Sequence, residues 1–273
     1  IPIAGSAYTY AYATLGELVA WMIGWDLILE YAVGSMTVAI GWSGYMQRLL
    51  AGFGIELPMW MAAAPPVGII NLPAVLIVLG IMYLLIVGIR ESARFNAIMV
   101  GVKLAAVVFF IGAGAVYVKP ENWDPFTPYG WSGVMGAAGV VFFAYIGFDS
   151  VSTAAEECKN PKRDLPLGII ITLVVCTVLY ASVALVLTGI ANYKTLSNAA
   201  PVANALRELG MNGIRLWVTA GALVGMLSSL LVFQYGQARI WFAMSRDKLL
   251  PDLFSKVHPK FQTPHVSTWV AGI

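Results

Sequence analysis

This sequence is short of charge. Only 11% of its 273 residues are charged, against 59% that are hydrophobic, whereas a soluble globular domain carries roughly 25% charged residues. That shortage excludes a soluble protein and indicates one that lives in lipid. Cysteine is as scarce. Cys158 lies in a polar stretch and Cys176 inside an apolar run, a distribution that fits neither a disulfide framework nor a cysteine metal site. The two histidines, His258 and His265, stand near the polar C-terminal end, so no intramembrane metal site and no cofactor is expected. With 16 Lys and Arg against 14 Asp and Glu the formal net charge is +2, and nothing points to nucleic acid or to a polyacidic partner. No His falls inside the six apolar runs and no His pair has metal-ligand spacing, so an enzyme is not expected. The chain opens at Ile1 without a Met and stops a few residues into an apolar run; it reads as a fragment cut at both ends, with no visible signal peptide.

Long apolar runs are what the sequence has in quantity. A helix needs about 20 apolar residues to cross the hydrocarbon core. Runs of that kind occur at Leu18 to Tyr45, Pro73 to Ile89, Phe95 to Val118, Trp131 to Ala155, Leu167 to Ala191 and Leu216 to Met244, and another begins at Val266 to Ile273. The connections, such as Pro58 to Pro66, Asn160 to Pro166 and Asn192 to Gly213, are polar or rich in Pro and Gly. The expected fold class is therefore all-α, a polytopic membrane protein with residues 1–273 in a single transmembrane domain. Basic residues set the orientation, because cytoplasmic loops carry the excess of Lys and Arg. Arg90, Arg94, Lys159, Lys162, Arg163, Arg239, Arg246, Lys248, Lys256 and Lys260 fall on one side; Arg48, Lys119, Lys194, Arg207 and Arg215 fall on the other. The richer side is expected to be cytoplasmic, which puts the first residue inside the cell; the membrane expected is the plasma membrane.

Four ionisable residues sit where a bilayer should be: Asp26, Glu30, Lys103 and Asp149. Each costs about 2.5 to 3.5 kcal/mol on insertion scales. Asp26 and Glu30 are four apart and share a helical face, which must look into the bundle or into water. Lys103 lies too deep for easy snorkelling. Two readings stand for it: a static tie to Glu30 or to the interface, or a group that exchanges protons during a transport cycle.

The fourth run is interrupted. Gly133, Gly136 and Gly139 offer a small-residue face for helix packing. Gly147 then precedes Asp149, Ser150, Ser152 and Thr153, a polar turn foreign to a lipid-facing helix. Asp149 with Ser150 is a candidate cap for a second half-helix. Unwound backbone is tolerated at this depth only where it lines a cavity, and its free carbonyls suit an ammonium group.

Short motifs in a fixed order carry a resemblance. They are Pro2-Ile-Ala-Gly-Ser-Ala-Tyr8-Thr-Tyr10, Gly24-Trp-Asp26-Leu-Ile-Leu-Glu30-Tyr31, Ser92-Ala-Arg94-Phe-Asn96, Phe142-Phe-Ala-Tyr-Ile-Gly-Phe-Asp149, Ala154-Ala-Glu156-Glu157 and Tyr235-Gly-Gln-Ala-Arg239. The chain resembles, over its whole length, the amino acid/polyamine/organocation transporters, and among them bacterial relatives of the cationic amino acid transporters. The resemblance implies a LeuT-like fold of five helices repeated in inverted topology, with twelve spans of which these would be the third to the eighth. It implies substrate between a broken first helix and the broken run here. Phe143, Ala144 and Ile146 match positions whose carbonyls receive the α-ammonium, Tyr145 and Gly147 belong to the same segment, and Phe143 matches the aromatic gate. Lys103 matches a lysine whose ammonium replaces sodium, which implies proton coupling. Ser228 and Ser229 fall where sodium-coupled relatives supply hydroxyl ligands, and Asp149 supports the break. Glu30 looks characteristic of the cationic branch and is expected to share a proton with Lys103. The implied function is import of amino acids by alternating access, with protons, membrane lipid and a candidate sterol as partners. No accessory subunit is specified, and cationic or small neutral substrates stay open. A sodium-coupled transporter, an exchanger or a non-transporting sensor of the same fold are the rival readings.

Overall fold

The structure, a computed structural model of the chain, describes residues 6–88, 93–147, 160–198 and 200–273. Its described elements are helical: α1 (Ser6–Leu15), α2 (Glu17–Gly52), α3 (Met59–Ala62), α4 (Leu72–Val87), α5 (Ala93–Ala115), α6 (Gly130–Val141), α7 (Pro161–Ile190), α8 (Pro201–Glu208), α9 (Asn212–Arg246) and α10 (His265–Gly272). Strand pairing among the described residues is limited to one isolated bridge between Ala62 and Asn71.

The two longest helices, α2 and α9, form the spine. Small residues let their backbones approach, as packing in lipid requires: Gly24 lies against Met244, Gly34 against Phe233 and Gly236 against Tyr31. Tyr8, Leu27, Ile28, Tyr31, Ile240 and Met244 close the core at one end of this interface. Further along, α4 joins through Ala74 and Ile81 against Ala39 and Leu230. On the other flank α5 and α7 meet α8 and α9 around Phe110, Val186, Leu206 and Val218. Many large apolar side chains point away from every described helix, among them Leu18, Leu29, Ile98, Ile170 and Val178; in a protein with so few charges these are faces for lipid.

Several boundaries differ from those expected, and polar anchoring explains them. Helix α2 runs seven residues past Tyr45, to Gly52, because the polar residues there are satisfied without leaving the helix. Gln47 donates from its amide to the Ala62 carbonyl at 2.8 Å and to the Ser43 hydroxyl at 3.0 Å, while Ser43 donates to Asn71 Oδ1 at 2.6 Å. Helix α7 starts at Pro161 rather than near Leu167; the Asn160 to Pro166 stretch is its first turns, where proline has no helical partner to lose at Pro161. Its other end is capped from the loop after α5, since the Gly189 carbonyl accepts from Lys119 N–H (2.9 Å) and from the Asn122 amide (2.7 Å). The Asn192 to Gly213 connection contains α8, whose Ala203, Ala205 and Leu206 are buried. Within the run expected from Trp131 to Ala155, the described part is α-helical over Gly130–Val141 and then a 3-10 turn over Phe142–Tyr145. Asp149, Ser150 and Phe148 lie outside the described residues.

Helix α1 docks through Tyr8, which is fully buried and donates to Asp247 Oδ2 at 3.0 Å, just beyond the end of α9. Burial first, and then the bond to Asp247, push the Tyr8 phenol above its ordinary value of 10. The proton is thus held more tightly in the folded state than in the unfolded chain. The stability it adds is complete below about pH 10 and is lost as pH climbs towards the raised value. Tyr8→Phe is expected to cost about 1 to 3 kcal/mol at neutral pH, because Asp247 loses a partner. It should also flatten the alkaline part of the stability profile. Thermal melting of wild type and variant between pH 7 and pH 11 checks both.

Candidate functional site

Two features stand out: α5 and α9 position the first, and α7 holds the second. The first is Lys103 on α5. Gly225 on α9 has no side chain, and a Cβ there would sit 3.1 Å from Lys103 Cγ and Cδ, so the glycine makes room for the lysine stem. One turn on, the Lys103 ammonium donates to Ser229 Oγ at 3.5 Å, the outer limit of a hydrogen bond. Ser229 in turn donates to the Gly225 carbonyl at 3.1 Å, which leaves its oxygen lone pairs for the ammonium. Ser228, the other serine expected to contribute, is one residue away and therefore about 100° around the helix from that face. The lysine stands at an open cavity of about 300 Å³ whose lining also includes Tyr45, Phe110, Val218 and Met226. The wall is almost wholly apolar, so Lys103 and Ser229 are where its polarity is concentrated.

Glu30 is not beside Lys103. Tyr31 faces Gly236, and Gly34 faces Phe233, which puts Glu30 level with the region of Gln237 on α9. Lys103 is level with Gly225 and Ser229. The offset is about ten residues, or roughly 15 Å along the helix. A proton cannot cross that distance in one hydrogen bond. Asp26 is exposed on a part of α2 that the described helices leave uncovered.

The second feature is the end of α6. At Phe142 the α-helical ladder tightens into a 3-10 turn, Phe142–Tyr145. Ile146 then adopts an extended ψ of 136°, and Gly147 has φ 102°, a conformation that L side chains rarely adopt. Helix α6 buries none of its residues, and Phe143 is 56% exposed. What holds the turn is α7. Tyr180 donates its hydroxyl to the Ala144 carbonyl at 2.9 Å, and the Tyr145 and Thr177 hydroxyls are 3.0 Å apart. Thr177 and Tyr180 are three apart on one face of α7. Neither stands out in the sequence, where they are two of several hydroxyl residues, with Thr172, Ser182 and Thr188, in an otherwise apolar run. An i, i+3 polar pair in an apolar helix was the available signal.

Apolar faces on long helices, a helix broken within an apolar run and an ammonium set against a hydroxyl between helices define a class: this is a polytopic helical membrane protein. Four described helices, Glu17–Gly52, Ala97–Ala115, Lys162–Ile190 and Gly213–Arg246, are long and apolar enough to cross a membrane. The chain belongs to the amino acid permease family, whose pattern matches residues 1–273. It is 52% identical over 278 residues to the branched-chain amino acid permease BcaP of Bacillus subtilis (strain 168) and 50% identical over 276 residues to the methylthioribose transporter of the same organism. It is 39% identical over 281 residues to the vacuolar cationic amino acid transporter 4 of Arabidopsis thaliana. All of the chain is covered in each case, but only 60%, 60% and 47% of the respective relatives. These relatives are permeases and transporters, not enzymes.

Proposed function

We propose that the chain is part of a secondary active transporter that imports amino acids across the plasma membrane by alternating access, coupled to protons, in a LeuT-like inverted-repeat fold with the first residue on the cytoplasmic side. The observation that carries the coupling is the Lys103 ammonium resting on Ser229 across the α5 and α9 contact. An ammonium there supplies a fixed positive charge between two helices without a metal ion. Losing its proton removes that charge and weakens the contact, so the protonation state biases which helix arrangement is favoured. Glu30, at a different height on α2, acts as a second proton-responsive site rather than as Lys103's hydrogen-bond partner.

The substrate amine is received by the carbonyls of Phe143, Ala144 and Ile146, with Tyr145 and Gly147 shaping the turn and Phe143 closing over it. Asp149 is assigned to the continuation of this segment. The substrate proposed is a neutral aliphatic amino acid, favoured by the bulky aromatics of the turn. A second reading, a thioether sugar, comes from the 50% identical methylthioribose transporter; carbonyl acceptors also take sugar hydroxyls. In proteoliposomes of the full-length protein, acidifying the outside is expected to raise uptake of L-leucine or L-alanine at least severalfold, with potassium replacing sodium at no cost. An absolute sodium requirement would falsify the coupling. Competition by methylthioribose but not by amino acids would transfer the site to the sugar.

A further inference from the structure

We propose that Tyr180 is a positioning residue for substrate: with Thr177 it clamps the unwound turn onto α7 and presents the Ala144 carbonyl to the substrate's α-ammonium. The proposal rests on the assignment of that turn as the amine site. Its geometry is independent of that assignment.

At the end of the 3-10 turn the repeating N–H to carbonyl bonds that orient each peptide in a helix stop. The one backbone bond spanning the turn's exit, from Ile146 N–H to the Phe143 carbonyl, is long at 3.4 Å. Two side-chain bonds take over. Thr177 already donates its single hydroxyl proton to the Leu173 carbonyl at 2.8 Å, so in the pair of hydroxyls it accepts and Tyr145 donates. Tyr180 donates to the neighbouring residue's carbonyl. The two tyrosine rings meet edge to face, centroids 5.3 Å apart at 70°, an arrangement aromatic pairs favour. Adjacent residues of the turn are thus tied to adjacent turns of one rigid helix, through a side chain at 145 and a backbone oxygen at 144.

A carbonyl oxygen has two lone pairs, so the bond from Tyr180 leaves Ala144 able to accept a second donor. The consequence is preorganisation: the oxygen is aimed before substrate arrives, and binding does not have to order it. The effect is specific to the amine. A ligand with no hydrogen-bond donor in that place, such as an amino acid stripped of its α-ammonium, has nothing to give this carbonyl and gains nothing from its orientation.

The test measures displacement of radiolabelled L-leucine from the full-length protein in detergent by L-leucine and by 4-methylpentanoate, its counterpart without the amine. The ratio of the two displacing concentrations reports the amine contact alone. Tyr180→Phe keeps the ring and removes the hydroxyl. It is expected to shrink that ratio about tenfold, the equivalent of one lost hydrogen bond near the top of the usual range, with melting temperature little changed. Thr177→Val should shrink it about threefold by freeing Tyr145, and it decides the matter if Tyr180→Phe does not fold. A purely structural role weakens both ligands alike and leaves the ratio at its wild-type value, which overturns the proposal. A wild-type ratio near one instead removes the amine site itself from this turn, and the proposal with it.

Discussion

Lys103→Ala is expected to abolish net proton-driven uptake, a loss of at least a hundredfold, while substrate binding stays within about tenfold of wild type. The ammonium touches α9 through Ser229, and among the described residues no ion pair holds it. Removing it therefore leaves no counter-charge unpaired among the described residues, and the penalty of about 3 to 5 kcal/mol for breaking a buried ion pair does not arise there. Ser229 keeps its bond to the Gly225 carbonyl, so the helix should stay folded. Lys103→Arg sharpens the test. A guanidinium holds its proton throughout the physiological range, so this variant should bind and exchange substrate in counterflow yet fail to concentrate it. Glu30→Gln, about 15 Å away along the spine, should shift the pH profile of uptake without eliminating it. Net uptake by Lys103→Ala at the wild-type rate would end the coupling assignment. A Glu30→Gln profile that overlies the wild-type one would remove Glu30 from it.

Phe143→Ala is expected to cut transport by tenfold or more with little change in melting temperature. Losing a buried phenylalanine usually costs about 3 to 5 kcal/mol, which would confound any transport assay. Here the ring is 56% exposed on the 3-10 turn, so most of that packing term is absent and the variant should fold. If the ring closes over substrate, its removal raises the half-saturation concentration and speeds substrate release. Uptake kinetics measured beside thermal melting separate the two effects. Normal kinetics in a stable variant would remove Phe143 as a gate.

Gly147 and Lys103 show why some of the site could be read from the residues. A glycine amid aromatics is conspicuous in an apolar run, and its φ of 102° is the conformation that only glycine adopts freely. A lysine at membrane depth costs too much to be incidental. The choice between Ser228 and Ser229 was not legible, because both have the same chemistry and the helix phase relative to α5 decides which faces Lys103. Thr177 and Tyr180 were missed for a similar reason: hydroxyl side chains are common in membrane helices, and only the position of the broken turn against α7 gives these two a task.

Composition and periodicity by themselves determined that this is an all-helical membrane protein, where most apolar runs lie and where one of them breaks. Those properties follow from transfer free energies and backbone sterics, which act residue by residue and need no partner. Tertiary structure alone decided that Glu30 on α2 and Lys103 on α5 stand level with different parts of α9, that Ser229 receives the ammonium and that α7 carries the clamp on Ala144. Register and rotation between packed helices depend on how glycines such as Gly34, Gly225 and Gly236 admit the side chains opposite. That fit is a property of two surfaces together, and neither helix encodes it alone.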